Sequence, residues 1–340
     1  MNQDKLNRLR ELYSDADGSL YLTERFKHVG EKLAGRPHSS AKPYSGVPTF
    51  LDLPYTEDFS GLDVAVIGVP MDLGVTNRSG ARFGPRAVRT IERVGPYNHA
   101  LDEIPSAVLK AADIGDVKFR SRFSLKDSIE DIEQFYKELV AAGLKPLSVG
   151  GDHSITYPIM KALGEHEPVG MVHIDAHMDT GGAYEGEKFH HGGPFRQAVL
   201  DGVLDPERCI QIGIRGSVEF SGEFSYESGM TVVHAEDIEQ CGIDAIITKA
   251  KQVISDKPFY ISIDVDGIDP AYTPGTGTPE VGGMTPLQVQ MILRSLKGLN
   301  LVGGDVVEIA PQYDSTTNTA HVVAQLLFEI FTLIAFTTAH

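Results

Sequence analysis

Between Val169 and Asp179 the chain reads V-G-M-V-H-I-D-A-H-M-D. An apolar run, Val169 to Val172, stops abruptly, and His173, Asp175, His177 and Asp179 follow at every second position. A short apolar run of this kind reads as a buried parallel strand. Ligands and catalytic groups gather beyond the carboxyl ends of such strands. While the chain stays extended, residues i, i+2 and i+4 point to one side, so Asp175, His177 and Asp179 are expected to converge. A solvated strand end would account for one Asp or His. Two carboxylates crowded around an imidazole call for a cation to neutralise them.

Two further stretches repeat the pattern. Pro146 to Val149 runs into Gly150-Gly151-Asp152-His153-Ser154, and Pro258 to Ile263 runs into Asp264-Val265-Asp266-Gly267-Ile268-Asp269-Pro270. Three strand ends thus offer His153; Asp175, His177 and Asp179; and Asp264 and Asp266. A single zinc takes three or four ligands, and a soft site would show Cys. Two imidazoles and four carboxylates suit two divalent ions instead, manganese first and nickel or cobalt after it. Such a pair can clamp and deprotonate one water, giving a hydroxide nucleophile near neutral pH.

With G-G-D-H-S, H-I-D-A-H-M-D and S-I-D-V-D-G-I-D-P in this order, the chain resembles the ureohydrolases: arginase, agmatinase and the guanidino-acid hydrolases. The resemblance runs from about Pro43 to the C-terminus and includes the stretches from Thr76 to Arg86 and from Pro274 to Glu280. It is closer to the agmatinase and guanidinobutyrase branch than to arginase proper. It implies that a metal-bridging hydroxide attacks a guanidinium carbon, releasing urea and an amine. Position by position, it gives one ion His153, Asp175, Asp179 and Asp264, and the other His177 and Asp266 with the bridging carboxylates. It gives Glu280 the grip on the guanidinium, a planar cation that suits a carboxylate fork. It gives His191 the proton for the leaving amine, since imidazole titrates in the right range. His190 stands where a small polar residue is more usual and rivals His191 for that role. Asp152 is expected to orient a ligand or loop, Asp269 to hold a turn, and His173 to be structural. The loop from Thr180 to Lys188 reads the substrate tail in relatives. Glu185 from it, and Asn77 from the loop after the first strand, are therefore candidate substrate contacts. Met178, between His177 and Asp179, is larger than usual there and would narrow the site.

The substrate so implied is a small cationic guanidino compound: 4-guanidinobutanoate, 3-guanidinopropanoate or agmatine. The alternatives are nickel-dependent hydrolysis of guanidine or a biguanide such as metformin, hydrolysis of formiminoglutamate, a catalytically silent partner of an active paralogue, and a one-metal deacetylase. The complete set of six ligands, with Glu280 and His191, counts against the last two.

These side chains need a scaffold, and the rest of the chain supplies one by alternation. Strands are expected at Val64–Val69, Lys110–Ala112, Pro146–Val149, Val169–Val172, Cys209–Ile214, Thr231–His234, Pro258–Ile263 and Val302–Ile309. Helices are expected from Pro85 to Arg89, Ser128 to Ala142, Ile155 to Leu163, Phe195 to Gly202, Ile243 to Ile254, Pro286 to Leu296 and Thr319 to Phe336. Alternation of this kind means a mostly parallel sheet covered on both faces. The resemblance implies the arginase-like three-layer α/β/α fold with eight strands. Residues 1–42 read as a polar arm with helices over Leu6 to Tyr13 and Thr23 to Ala34. Gly35 to Tyr44 reads as a linker, leaving 43–340 as a single catalytic domain.

Composition agrees. A chain of 340 residues is long enough for one large α/β domain. The net charge of −17 argues against a nucleic-acid partner. No apolar run reaches membrane-spanning length. The N-terminus lacks an apolar signal core, and its early acidic residues speak against a transit peptide. Two cysteines, Cys209 and Cys241, fit a reducing compartment and hence the cytoplasm. The family usually forms trimers or hexamers, so a homo-oligomer, or a hetero-oligomer with a paralogue, is implied.

Overall fold

Every residue of Val64–Val69, Val169–Ile174 and Phe259–Asp264 is buried. Segments apolar on both faces belong in the middle of a parallel sheet with helices on each side. The computed structural model, which describes residues 2–15, 23–35, 44–92, 94–216 and 219–337, has that architecture. Its strands are β1 (Val64–Val69), β2 (Ala111–Asp116), β3 (Lys145–Gly150), β4 (Val169–Ile174), β5 (Leu204–Ile214), β6 (Thr231–His234), β7 (Phe259–Asp264) and β8 (Leu301–Val307). They form one parallel sheet in the order β2-β1-β3-β8-β7-β4-β5-β6.

One face is covered by the helices Ile243–Ile254, Pro286–Ser295 and Asn318–Ile334, through Ile246, Ile254, Val289, Leu293, Val323 and Leu327. Helices Leu125–Ala141, Thr156–Leu163 and Pro194–Leu200 cover the other, through Ile132, Tyr136, Leu139, Ile159 and Phe195. The expected helix from Ser128 begins at Leu125, because Ser124 Oγ accepts from Asp127 N at 3.2 Å and caps it there. The helices Glu223–Ser228 and Ala235–Cys241 have no counterpart among the expected elements. Each buries one side chain, Ser225 or Ile238, too little to leave a periodic apolar signal. β5 starts five residues before the expected Cys209: Leu204 pairs with Val169, and the residues between Leu204 and Cys209 bulge from the ladder where the register shifts between Val169 and Met171.

The arm is held unevenly. Helix Glu24–Gly35 buries Val29 and pairs Lys32 Nζ with Glu103 Oε1 at 2.6 Å and His28 Nε2 with Asp102 Oδ1 at 3.0 Å. Helix Gln3–Tyr13 buries no residue. Of the linker expected from Gly35 to Tyr44, Gly35 instead ends the helix Glu24–Gly35, and residues 36–43, with the boundary at 42/43, lie outside the described residues. Deleting residues 2–15 is expected to change folding stability by no more than about 0.5 kcal/mol. A larger loss in a denaturant melt would mean that a second copy covers this helix.

The strand order sets where the metal-type tips lie. β8 lies between β3 and β7, and β4 lies on the far side of β7. The carboxyl ends of β3, β8, β7 and β4 are therefore contiguous, and the three metal-type tips meet around a fourth.

Candidate active site

His153 opens the turn after β3. Asp152 caps that turn by accepting from Ser154 N at 3.0 Å, and its other oxygen accepts from Gly74 N at 2.8 Å, tying in the loop after β1. This matches the orienting role expected of Asp152. His153 Nε2 lies 2.9 Å from Ser262 Oγ, and that hydroxyl donates to Asp305 Oδ1 at 2.7 Å. With its one proton committed to Asp305, Ser262 can only accept from His153, so His153 carries its hydrogen on Nε2 and presents a bare Nδ1. Nδ1 is fully buried, makes no hydrogen bond, and lies 2.9 Å from Asp179 Oδ2, 3.2 Å from Asp175 Oδ2 and 3.5 Å from Asp264 Oδ2.

A second cluster shares Asp175. His177 Nδ1 lies 3.5 Å from Asp175 Oδ1 and 3.3 Å from Asp266 Oδ2. Asp175 thus turns one oxygen to each group. The chain does not reach this arrangement by staying extended. β4 ends at Ile174, and Asp179 takes φ 52, which bends its carboxylate back to His153. A non-glycine residue in this left-handed region is strained, and such strain concentrates at functional sites.

The donors fit a pair of divalent cations. Lone pairs from a bare imidazole nitrogen and three carboxylates point at one another with no hydrogen between them. Burial, with Asp266 and Asp175 adding repulsion, holds Asp264 well above the usual carboxylate range. Burial, with Asp175 adding to it against the opposing His177, pushes Asp266 up to about 6. Cations at the two foci would remove both penalties. His173, fully buried between them, is not a free donor, because its Nε2 is bonded to Asp175 Oδ2 at 2.8 Å.

The residue that sequence reasoning missed is Glu308. β8, expected to run to Ile309, ends at Val307. Glu308 takes φ 64 and turns its side chain into the centre of the site. Its Oε1 accepts from His153 N at 2.9 Å and bonds His191 Nδ1 at 2.9 Å, while Oε2 is buried with no partner. His191 Nε2 accepts from Thr76 N at 3.1 Å and lies 2.7 Å from Thr76 Oγ1, so the ring's hydrogen sits on Nδ1, toward Glu308. Burial opposes a charge on this ring, but the Glu308 carboxylate outweighs it and lifts His191 to about 9. His190 lines the same cavity, with Nε2 held by Gly182 O at 2.7 Å and Nδ1 unpaired. The only sequence signal for Glu308 is a charged residue breaking the apolar run V-V-E-I-A.

Above these groups opens a cavity of about 900 Å³. Its wall includes Asn77, Arg78, Met178, Tyr184, Phe220 and Glu280. Glu280 is one-third exposed, with Oε1 4.0 Å from His177 Nε2. Asn77 Nδ2 donates to Gly277 O at 3.1 Å. Met178 is buried against Gly222. Glu185 is not brought to the cavity. It and Gly186 take φ 49 and 88 and close a two-residue hairpin between Tyr184 and Glu187, which leaves Glu185 at the exposed tip. Asp269 accepts from Ala271 N, Gly282 N and Gly283 N, as expected of a turn residue. No helix among the described residues is long and apolar enough to cross a membrane.

Known proteins resemble this chain in sequence and fold. The chain is 48% identical to guanidinopropionase of Pseudomonas aeruginosa, over 86% of this chain and 93% of that protein. It is 46% identical to the mitochondrial guanidino acid hydrolase of Homo sapiens, over 86% of this chain and 84% of that protein. Among solved structures it is similar to proclavaminate amidino hydrolase from Streptomyces clavuligerus, with a TM-score of 0.83 and 34% identity, covering 88% of this chain and all of that one. The Arginase family profile matches residues 62–332. A sheet whose contiguous strand ends supply two donor clusters joined by one carboxylate, and relatives of this closeness, lead to one conclusion: the chain belongs to the arginase family and is an amidinohydrolase of its agmatinase- and guanidinobutyrase-like branch.

Proposed function

We propose that this enzyme hydrolyses a guanidino acid, 3-guanidinopropanoate or 4-guanidinobutanoate, to urea and an amino acid. The observation that carries the reading is the shared Asp175, together with a cavity lined by His177, Asp179, Asp264 and by His191, whose Nδ1 is held by the buried Glu308. His153, Asp175, Asp179 and Asp264 would hold one divalent ion, and His177, Asp175, Asp264 and Asp266 the other, with manganese the first choice. When bound, such a pair lowers the pKa of a shared water and so supplies a nucleophile near neutral pH.

The chain's own groups do the rest. Glu280 offers a carboxylate at the cavity wall that would grip the guanidinium N–H groups and hold the electrophilic carbon in place. His191, at the cavity wall, would return a proton to the leaving amine nitrogen, with Glu308 holding Nδ1 and Thr76 holding Nε2 so that its ring stays oriented.

Arg78 supports an acidic tail. Its Nη2 donates to Thr276 O at 2.7 Å, its Nε to Gly277 O at 3.3 Å, and its guanidinium stacks 4.2 Å from the Tyr313 ring centre. It is thereby held at the cavity wall, and it has no carboxylate partner among the described residues. Arg215, the other cation in the wall, donates from Nε, Nη1 and Nη2 to backbone carbonyls, including those of Asp266 and Glu280. The names of the guanidinopropionase and guanidino acid hydrolase relatives point the same way.

The test is urea release by protein loaded with manganese or with nickel, on both guanidino acids, agmatine, arginine, guanidine and metformin. Turnover of a guanidino acid with manganese is expected. Turnover of guanidine or metformin alone, with nickel, would overturn the substrate; silence throughout would overturn the reading. Arg78→Met is expected to raise KM for the acids about 10- to 100-fold and to spare agmatine. An equal loss on both would make Arg78 a wall residue with no part in tail choice.

We also infer a cytoplasmic homo-oligomer, trimeric or hexameric. Exposed Val281 (81%) and Leu287 (59%) supply apolar surface that a neighbouring copy would cover. Light scattering showing a monomer at micromolar concentration would remove this.

A further inference from the structure

Two buried side chains outside the ligand set address Asp175. His173 is on β4 and Gln211 on β5, and both are fully buried. Gln211 Nε2 donates to Met178 O at 2.6 Å and lies 3.1 Å from His173 Nδ1. The Met178 carbonyl fixes the amide: turned over, it would set oxygen against oxygen at that distance. Nδ1 of His173 must therefore accept, and the ring carries its hydrogen on Nε2. That N–H points at Asp175 Oδ2, 2.8 Å away. The arrangement leaves Gln211 Oε1 buried without a partner, so it costs stability and serves something else.

We infer that Gln211 and His173 are positioning residues for the metal pair. Gln211 sets the His173 tautomer, and His173 sets the orientation of the one carboxylate that faces both foci. The ring geometry alone would also allow His173 to be a ligand, since its donor atoms lie close to those of His153 and Asp175. The Gln211 amide decides against that, because a nitrogen bearing hydrogen offers no lone pair. Gln211 also anchors the carbonyl of Met178, the residue between His177 and Asp179, so one amide steadies ligands of both clusters. Supporting groups of this kind typically change metal affinity by about 10- to 100-fold when removed.

The inference rests on Asp175 being a shared ligand, and the experiment separates the two ideas. Purified full-length protein is stripped of metal and titrated with Mn2+ against a chelator, with a thermal melt of the metal-free form as the folding control. The variants are His173→Phe, His173→Gln and Gln211→Met. Phenylalanine keeps the ring beside Phe195, which lies 4.5 Å from it, and removes the donor. Glutamine restores an N–H near the position of Nε2. Methionine keeps the volume of Gln211 and removes both its hydrogen bonds. Affinity for both ions is expected to fall about 10- to 100-fold in His173→Phe, to fall in Gln211→Met, and to recover in His173→Gln. Wild-type affinity in His173→Phe, or His173→Gln falling as far as His173→Phe, would overturn the inference. Loss of one equivalent of metal from His173→Gln would mean that His173 is a ligand. If His173→Phe does not fold, Gln211→Met alone decides by the same affinity. A wild-type protein that binds no metal pair would sink the reading of Asp175 itself.

Discussion

Glu308→Gln is expected to lower kcat/KM by on the order of 10³- to 10⁴-fold while leaving the fold intact. The amide keeps the size of the carboxylate, and its oxygen can still accept from His153 N. What changes is the charge behind His191: the oxygen that accepts from His153 N is the same one that meets His191 Nδ1, so the amide can still accept there but no longer supplies the negative charge that supports a charged ring. The pH profile should move with the rate. In the wild type His191 is lifted above its ordinary value of 6.5, to about 9, by Glu308 against the opposing effect of burial. Its protonated form is therefore present below about 9 and is lost as pH rises through that value. In Glu308→Gln the loss should begin at lower pH. Glu280→Gln is the comparison. It sits at the cavity wall with one-third of its side chain exposed, and about a tenfold loss is expected. If Glu280→Gln proves the more damaging, the grip on the guanidinium outweighs the support that Glu308 gives His191. Steady-state urea assays across pH decide between them.

Asp175→Asn should abolish metal binding at both foci, reducing bound metal from about two equivalents to less than one. Each oxygen of Asp175 already accepts an N–H, Oδ2 from His173 Nε2 and Oδ1 from His177 N. An amide cannot accept on both sides, so either orientation sets one donor against another and costs about 1–3 kcal/mol. It also removes the charge that faces both His153 and His177. The metal-free protein should feel this too. There burial opposes the Asp175 charge, but His173, His153 and His177 outweigh it and hold Asp175 well below the usual carboxylate range, so the amide loses those contacts while relieving Asp264 and Asp266 in part. The melting temperature without metal should therefore fall, and the rise that metal gives the wild type should disappear. Elemental analysis after dialysis, with paired melts, measures both. Two tightly held ions in Asp175→Asn would rule out the shared-ligand arrangement.

Much of this protein is legible before any coordinates. Apolar runs of strand length, each ending in Asp and two of them also in His, announce three tips of a parallel sheet, and each run is buried as its pattern requires. The helices whose apolar residues recur every three or four positions are legible for the same reason, as Ile129, Ile132, Tyr136 and Leu139 illustrate. Local periodicity encodes which face is buried, and a polar break encodes where a strand stops.

Neither encodes which strands become neighbours. β8 is last in sequence but lies between β3 and β7, and only that placement brings Glu308 under His153 and His191. Its apolar run reads as continuing through Ile309, and the left-handed turn at Glu308 is held by contacts with residues more than a hundred positions away. Asn77 and Arg78 likewise take their places from the carbonyls of Thr276 and Gly277, about two hundred residues on. Glu185 shows the converse. Its charge and its loop suggest a contact with substrate, but a turn that needs positive φ at Glu185 and Gly186 points it outward. Residue type and short-range spacing are enough to establish the sheet, the donor set and the chemistry they suit, because all three are local properties of the chain. Three things are not local: which carboxylate holds His191, which oxygen of Asp175 faces which cluster, and which nitrogen of His173 holds the proton. Each depends on contacts between segments far apart in the chain, and so becomes definite only when the fold brings those segments together.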